Sequence, residues 1–251
     1  MSDIRISEIK QKACNDLSGK WGNAVLATLV YFLAALGSSL VPLGTIFLAG
    51  PLSVGYVLYF MSLIKREQVS VGLVFHSFQF YGNALLTYLL KMIIVMLAGL
   101  PVIFYVVYFV YFYSDTLDYI STGRLIGFST TTLILLILPI YFSLRLGLMY
   151  FIVADNPTVP ADKALEISWK MMKGNEWDLL LLTLSFILWY LLSTITLGIG
   201  FLWLMPYYYT SVGHFYLELK GRYPAYAKMI DNFGMEENNV SGDANSIYVN
   251  Q

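Results

Sequence analysis

Ala84–Tyr113 reads ALLTYLLKMIIVMLAGLPVIFYVVYFVYFY, thirty consecutive residues of which Lys91 alone carries a charge. A helix needs about 20 predominantly apolar residues to cross the roughly 30 Å hydrocarbon core of a bilayer. This run exceeds that length, and Pro101 inside it is a predicted kink. The rest of the chain agrees. Of 251 residues, 58% are hydrophobic and 12% charged, and the mean hydropathy is +0.66. A soluble domain usually carries about a quarter charged residues to coat its surface. The expected fold class is therefore all-α, a polytopic helical membrane protein.

Five further runs meet or approach a membrane-spanning length: residues 22–40, 43–64, 125–153, 179–196 and 200–219. The first and second spans, and the fifth and sixth, are separated by very short apolar turns containing Pro42 and Gly44, and Gly198 and Gly200, so each pair reads as a tight hairpin. Lysines and arginines give the orientation, because cytoplasmic loops carry the excess of them. Arg5, Lys10, Lys12, Lys20, Lys65, Arg66, Lys163, Lys170, Lys173, Lys220, Arg222 and Lys228 all fall on one side. Arg124 stands alone on the other, in a loop with Asp115 and Asp118. Six spans with both termini in the cytoplasm is the predicted topology. The start, polar through Lys20, lacks the early apolar core of a secretory signal.

Each hairpin follows a short amphipathic segment. Ile6, Ile9, Ala13 and Leu17 share a helical face, as do Ala161, Ala164, Leu165, Ser168 and Met172; residues 71–80 form a weaker middle case. Trp21-Gly22-Asn23-Ala24 is echoed by Tyr81-Gly82-Asn83-Ala84 and, more loosely, by Gly174-Asn175-Glu176-Trp177. The predicted organisation is a cytoplasmic amphipathic segment at 1–20 and a six-span domain at 21–220. That domain is read as three hairpin repeats, 21–64, 81–153 and 177–219. A polar cytoplasmic tail, 221–251, is expected to be disordered toward its end. The amphipathic faces are suited to the headgroup region of the membrane.

Several of these residues also form a family pattern. Asp155-Asn156-Pro157, Met172-Lys173-Gly174-Asn175 with Trp177, Thr196-Leu197-Gly198-Ile199-Gly200, Pro206-Tyr207 and Phe215-Tyr216 stand in order along the C-terminal half. With Leu17-Ser18-Gly19-Lys20-Trp21-Gly22 and Gly50-Pro51-Leu52, they resemble a family of bacterial multi-pass membrane proteins of unknown function, frequent in Gram-positive species. The resemblance implies a fold and a compartment, the bacterial cytoplasmic membrane, and no mechanism. It is thinnest over residues 105–128.

The candidate functional residues are the polar groups inside spans. Arg145 lies about 12–15 Å inside the fourth span at 1.5 Å per residue. An arginine at a helix centre costs roughly 2.5–3.5 kcal/mol on insertion scales, so it requires a partner or a watery cavity. Either it contacts an anion, headgroup or substrate, or it snorkels or pairs structurally. The same alternatives apply to Lys91. Glu218 is the nearest plausible counter-ion, and His214, one turn before it, shares its face. Tyr207 follows Pro206, where a broken helix could present a site.

A net charge of −1 gives no basic field for nucleic acid. One cysteine, Cys14, and two separated histidines, His76 and His214, offer no disulfide, metal or cofactor site. No catalytic motif is present. The leading expectation is a non-enzymatic scaffold, accessory or envelope-stress component that contacts membrane lipids and other membrane proteins. The alternatives are a small-molecule or peptide permease with a site near Arg145, Tyr207 and His214, and an enzyme acting on lipid headgroups. Oligomeric state is not encoded legibly.

Overall fold

The computed structural model describes residues 5–113 and 122–233. Asp115, Asp118 and the polar tail beyond Phe233 lie outside them. Among the described residues every regular element is helical. The chain forms α1 (Ile6–Leu17), α2 (Trp21–Ser39), α3 (Gly44–Ile64), a 3₁₀ helix (Val71–Phe80), α4 (Tyr81–Tyr113), α5 (Thr122–Arg145), α6 (Met149–Asp155), α7 (Ala161–Met172), α8 (Glu176–Leu184), α9 (Ile187–Ile195), α10 (Phe201–Arg222) and α11 (Pro224–Asn232).

Five stretches are long and apolar enough to cross a membrane: Trp21–Ser39, Gly44–Ile64, Val71–Phe112, Ile126–Asp155 and Glu176–Ile195. The sixth expected span, α10, has the length at 22 residues but is not among them. Packing supplies the reason. Thr210, Ser211, Phe215, Tyr216 and Leu219 of α10 are buried among neighbouring helices, so this helix meets protein where an outer helix would meet lipid. Its hydroxyls are bonded internally, Thr210 Oγ1 to the Pro206 carbonyl at 2.7 Å and Ser211 Oγ to the Tyr207 carbonyl at 2.8 Å. A helix so enclosed tolerates polar side chains that lipid would penalise. Pro206 leaves α10 continuous.

Two expected spans are each divided. The fourth breaks into α5 and α6 at residues 146–148, where the Gly147 N–H turns to the Leu144 carbonyl at 3.0 Å, a tighter i−3 bond. The fifth breaks into α8 and α9, where the Phe186 N–H bonds the Thr183 carbonyl at 3.1 Å. Hydropathy runs straight through both breaks, which is why apolar length alone does not reveal them.

The interior is built on α3, α6 and α10. Val54, Val57, Met61, Phe151, Ile152, Val212 and Phe215 are buried in one continuous cluster. Around the end that carries α1, α7 and α11, here called the basal end, the amphipathic elements clasp these three helices. The 3₁₀ helix packs on α3, α7 on α6 and α4, and α1 on α10. The apolar faces of α1 (Ile9, Ala13, Leu17) and α7 (Ala164, Ile167, Met171) are thus spent on protein contacts, not on headgroups. The 3₁₀ helix comes so close to α3 that a Cβ on Gly55 would overlap the Val74 carbonyl oxygen. There Ser77 Oγ donates to the Pro51 carbonyl at 2.5 Å.

The turns after α1 and α7 have one geometry. Ser18 (φ −60°, ψ 128°) and Lys173 (φ −60°, ψ 113°) are each followed by a glycine at positive φ, Gly19 at 75° and Gly174 at 85°. The Lys20 N–H then bonds the Leu17 carbonyl, and the Asn175 N–H the Met172 carbonyl, both at 2.9 Å. Both are type II turns, whose third position favours glycine because only it occupies positive φ without strain. At the opposite end α4, at 33 residues, runs about 50 Å. Its far half pairs with α5 through Tyr105 and Phe109, stacked on Phe128 with ring centroids 5.6 and 3.9 Å away.

Candidate functional site

A cavity of about 310 Å³ lies where α4, α5, α6, α8 and α10 meet. Lys91 enters from α4, Ser143 from α5, Tyr150 from α6, Thr183 from α8, and Tyr208 and Tyr209 from α10. The remaining wall is hydrocarbon from Leu144, Phe151, Leu179 and Val212. Lys91 Nζ sits 4.4 Å from the centroid of the Tyr150 ring, a cation–π contact. Thr183 Oγ1 and the Tyr208 hydroxyl are 3.3 Å apart on the same wall. Among the described residues no carboxylate lies within ion-pair distance of Lys91.

Arg145 has a different setting. Its side chain, only 9% exposed, places Nε 2.9 Å from Glu176 Oε1. It also donates to the Trp169 carbonyl at 2.8 Å and twice to the Tyr141 hydroxyl, at 3.0 and 2.8 Å. Its guanidinium carbon lies 4.8 Å from the Trp169 ring centroid. Glu176 is therefore the counter-ion, and Glu218 is not; Glu218 reaches Arg222 at 3.4 Å on the surface of α10. The type II turn at Gly174 sets Glu176 at the first residue of α8, facing the end of α5.

His214 does not pair with Glu218 either. Its Nε2 lies 2.8 Å from Asp16 Oδ2, tying α10 to α1. Tyr207 packs edge-on against Trp21 and Phe186, at 6.5 and 5.0 Å between centroids. Lys10 lies beside it, bonded to the Ser185 carbonyl at 3.2 Å and 4.4 Å from the Phe186 centroid, and burial pushes its ammonium pKa down. The five candidate residues are thus distributed over three places: Lys91 in the cavity, Arg145 at the junction of α5 and α8, and Tyr207, His214 and Glu218 on α10 faces turned away from the cavity. The neighbours Tyr208 and Tyr209, one residue or two further round the helix, line it instead.

A second polar centre closes the basal end. The Asp155 side chain, 4% exposed, takes Lys65 at 2.6 Å on one oxygen and Lys220 at 2.5 Å with the Tyr216 hydroxyl at 2.8 Å on the other. Asn156 Nδ2 donates to the Ile230 carbonyl at 2.6 Å, and Lys220 also bonds Asp231 at 2.5 Å, so α11 is held over the same spot. In the sequence Asp155-Asn156-Pro157 stands out only as part of a family pattern; no local spacing points to lysines 90 and 65 residues away. No group of three or more metal-ligating side chains occurs among the described residues.

These features define an all-helical protein with five candidate membrane-spanning helices, whose internal charges are arranged around three central helices. The chain belongs to the family described as a protein of unknown function (DUF975), whose model matches residues 1–223. Of the described elements, α11 alone falls wholly past the matched range. Comparison with curated proteins and with solved structures gave no match.

Proposed function

We propose that this protein is a non-enzymatic component of the bacterial cytoplasmic membrane, a scaffold or accessory factor of the cell envelope, crossing the bilayer six times with both ends in the cytoplasm. The observation that carries the reading is the pairing of Arg145. The most buried guanidinium among the described residues is occupied by Glu176, the Trp169 carbonyl and Tyr141, leaving it a pin between α5, α7 and α8. The matching turns at Gly19 and Gly174 support a repeated unit of basal element, outgoing span and returning span. The order of clasping also supports it, since each basal element holds a returning helix.

Two experiments test this. In cells, Arg145→Met alone removes one member of a buried pair and lowers protein abundance. Arg145→Met with Glu176→Met removes both charges at similar volume and restores abundance together with growth under envelope antibiotics. A double variant that is abundant but functionally null would overturn the scaffold reading, because Arg145 would then be acting on a solute. For orientation, Cys14 is the one cysteine in the chain and is exposed on α1. A membrane-impermeant maleimide is expected to label it in inverted vesicles and not in intact cells; the reverse pattern rejects the topology. One observation favours a permease-like second reading, the Lys91 cavity.

A further inference from the structure

Lys91 stands ten residues past Tyr81, about 15 Å along α4 from the basal end and well inside a hydrocarbon core of roughly 30 Å. An ammonium at such depth is retained where something answers its charge. The Tyr150 ring answers part of it, but a ring face accepts no strong hydrogen bond and brings no negative charge. Arg145, by contrast, has a carboxylate at 2.9 Å. The difference between the two cations is that Lys91 opens on a cavity furnished with hydroxyls, among them Thr183 and Tyr208.

A second hollow adjoins the first. A mainly apolar groove between α5 and α8 is lined by Ile137, Tyr141, Trp177 and Glu176, whose carboxylate is held by Arg145 at 2.9 Å, and it shares Ile140, Leu144 and Leu180 with the Lys91 cavity. Ile137 is 63% exposed, so the groove faces what surrounds the bundle. A chamber holding one cation and a few hydroxyls, joined across a shared wall to an open, mainly apolar groove, has the form of a single-chain amphiphile.

We propose that this pair of hollows is a binding site for a single-chain amphiphile bearing one negative charge, a long-chain carboxylate, with its head on Lys91 and its chain along α5 and α8. One ammonium matched by one carboxylate leaves no net charge in a low-dielectric site, whereas a dianionic head would leave an uncompensated charge there. The depth of Lys91 selects against a two-chain phospholipid, whose whole headgroup would have to sink below the interface. The second carboxylate oxygen has the Tyr208 hydroxyl on the chamber wall as a donor, turned from Thr183 Oγ1, whose own proton goes to the Leu179 carbonyl at 2.9 Å. The proposal goes beyond the scaffold reading and stands or falls independently of it.

The test is the thermal stability of the purified full-length protein in neutral detergent, titrated separately with dodecanoate, methyl dodecanoate and the anionic phospholipid phosphatidylglycerol. A ligand that binds only the folded state raises the midpoint saturably. Dodecanoate is expected to do so and its methyl ester is not, a comparison that needs no variant. Lys91→Gln should weaken the dodecanoate response about tenfold or more, the scale of a charge-assisted hydrogen bond. Leu180→Trp, which fills the shared wall, should weaken it with Lys91 in place. Equal responses to acid and ester, an undiminished response in folded Lys91→Gln, or a response to phosphatidylglycerol alone would each overturn the proposal.

Discussion

Lys220 Nζ lies 2.5 Å from Asp155 Oδ2, joining the last turns of α10 and α6 through a carboxylate that is almost wholly buried. Lys65, just past the end of α3, takes the other oxygen at 2.6 Å. The three central helices therefore end on one charge, and α11 reaches the same lysine through Asp231 at 2.5 Å. The arrangement places two cations and two carboxylates so that the buried member, Asp155, is the one with most donors.

Removing that carboxylate should cost more than removing any single lysine. Asp155→Asn keeps the volume but leaves Lys65 and Lys220 facing each other without the charge between them. Breaking a buried pair costs roughly 3–5 kcal/mol, and the low end, about 3 kcal/mol, applies because Lys220 retains Asp231 and 36% of the Lys65 side chain remains exposed. For a chain of this size that corresponds to a midpoint lowered by about 6–12 °C in a thermal melt. A loss under about 2 °C would show that the carboxylate is not what fastens the three helices.

Much of the fold was legible because it rests on one-dimensional quantities. Apolar run length gives helices suited to a membrane, and the spacing of Ile9, Ala13 and Leu17 gives the buried face of α1. The polar contacts between helices were not legible, because each is set by the rotation of one helix against another. Arg145 meets Glu176, 31 residues on, only through the turn at Gly174, while His214 meets Asp16 across 198 residues. Counting turns along α10 puts His214 on one face with Glu218, and the sequence offers Glu218 as the nearest plausible counter-ion for Arg145; neither pairs with it. The cavity was hidden by the break at residues 146–148, invisible to hydropathy. A rotation of about 100° per residue separates Tyr207, on the α1 side of α10, from Tyr208 on the cavity side.

Gly55 and Gly213 both follow valine on a central helix, yet they should respond differently to alanine. A Cβ at Gly55 would run into the Val74 main-chain oxygen, which the 3₁₀ helix cannot withdraw without losing its seat on α3. A Cβ at Gly213 would meet Ile64 Cδ1, the end of a side chain that can change rotamer. Gly55→Ala should therefore cost about 1–3 kcal/mol or more, as overpacking does. Gly213→Ala should cost nearer 0.5–1.5 kcal/mol, the scale of a displaced rotamer. Melting curves of the two variants side by side decide it, and an equal loss would remove the case for a rigid backbone contact at Gly55.

Gly19→Ala and Gly174→Ala test whether the two turns are one device used twice. No atom lies within 4 Å of a Cβ at either site, so neither variant creates a clash, and the cost is that of holding a non-glycine residue at positive φ. That cost is roughly 1–2 kcal/mol per residue. Each variant should lower the melting midpoint by about 2–8 °C, and the two losses should agree closely. A loss at Gly174 several times that at Gly19 would mean that the turns carry unlike loads and that their common shape is no sign of repetition.

The exposed face of α7 gives a pH-dependent contribution with a definite sign. Glu166 lies 2.5 Å from Lys170 and 3.1 Å from Lys163. Lys170 first and Lys163 second hold its carboxyl pKa below the ordinary glutamate value. Glu166 in turn raises the pKa of Lys170. A depressed carboxyl adds stability above its unfolded pKa and loses it as the pH falls through the folded value. A raised lysine adds stability below its unfolded pKa and loses it as the pH rises through the folded value. Around neutrality both contributions are present. Both groups stand in water, where such pairs are screened by salt and small. Comparing wild type with Glu166→Gln between about pH 7 and about pH 3 at low salt should therefore show a modest deficit in the variant near neutrality. That deficit should close as the carboxyl protonates, and added salt should shrink it at pH 7. A deficit that persists at the acid end would have to come from α7 packing, because no charge would then remain on Glu166 to account for it.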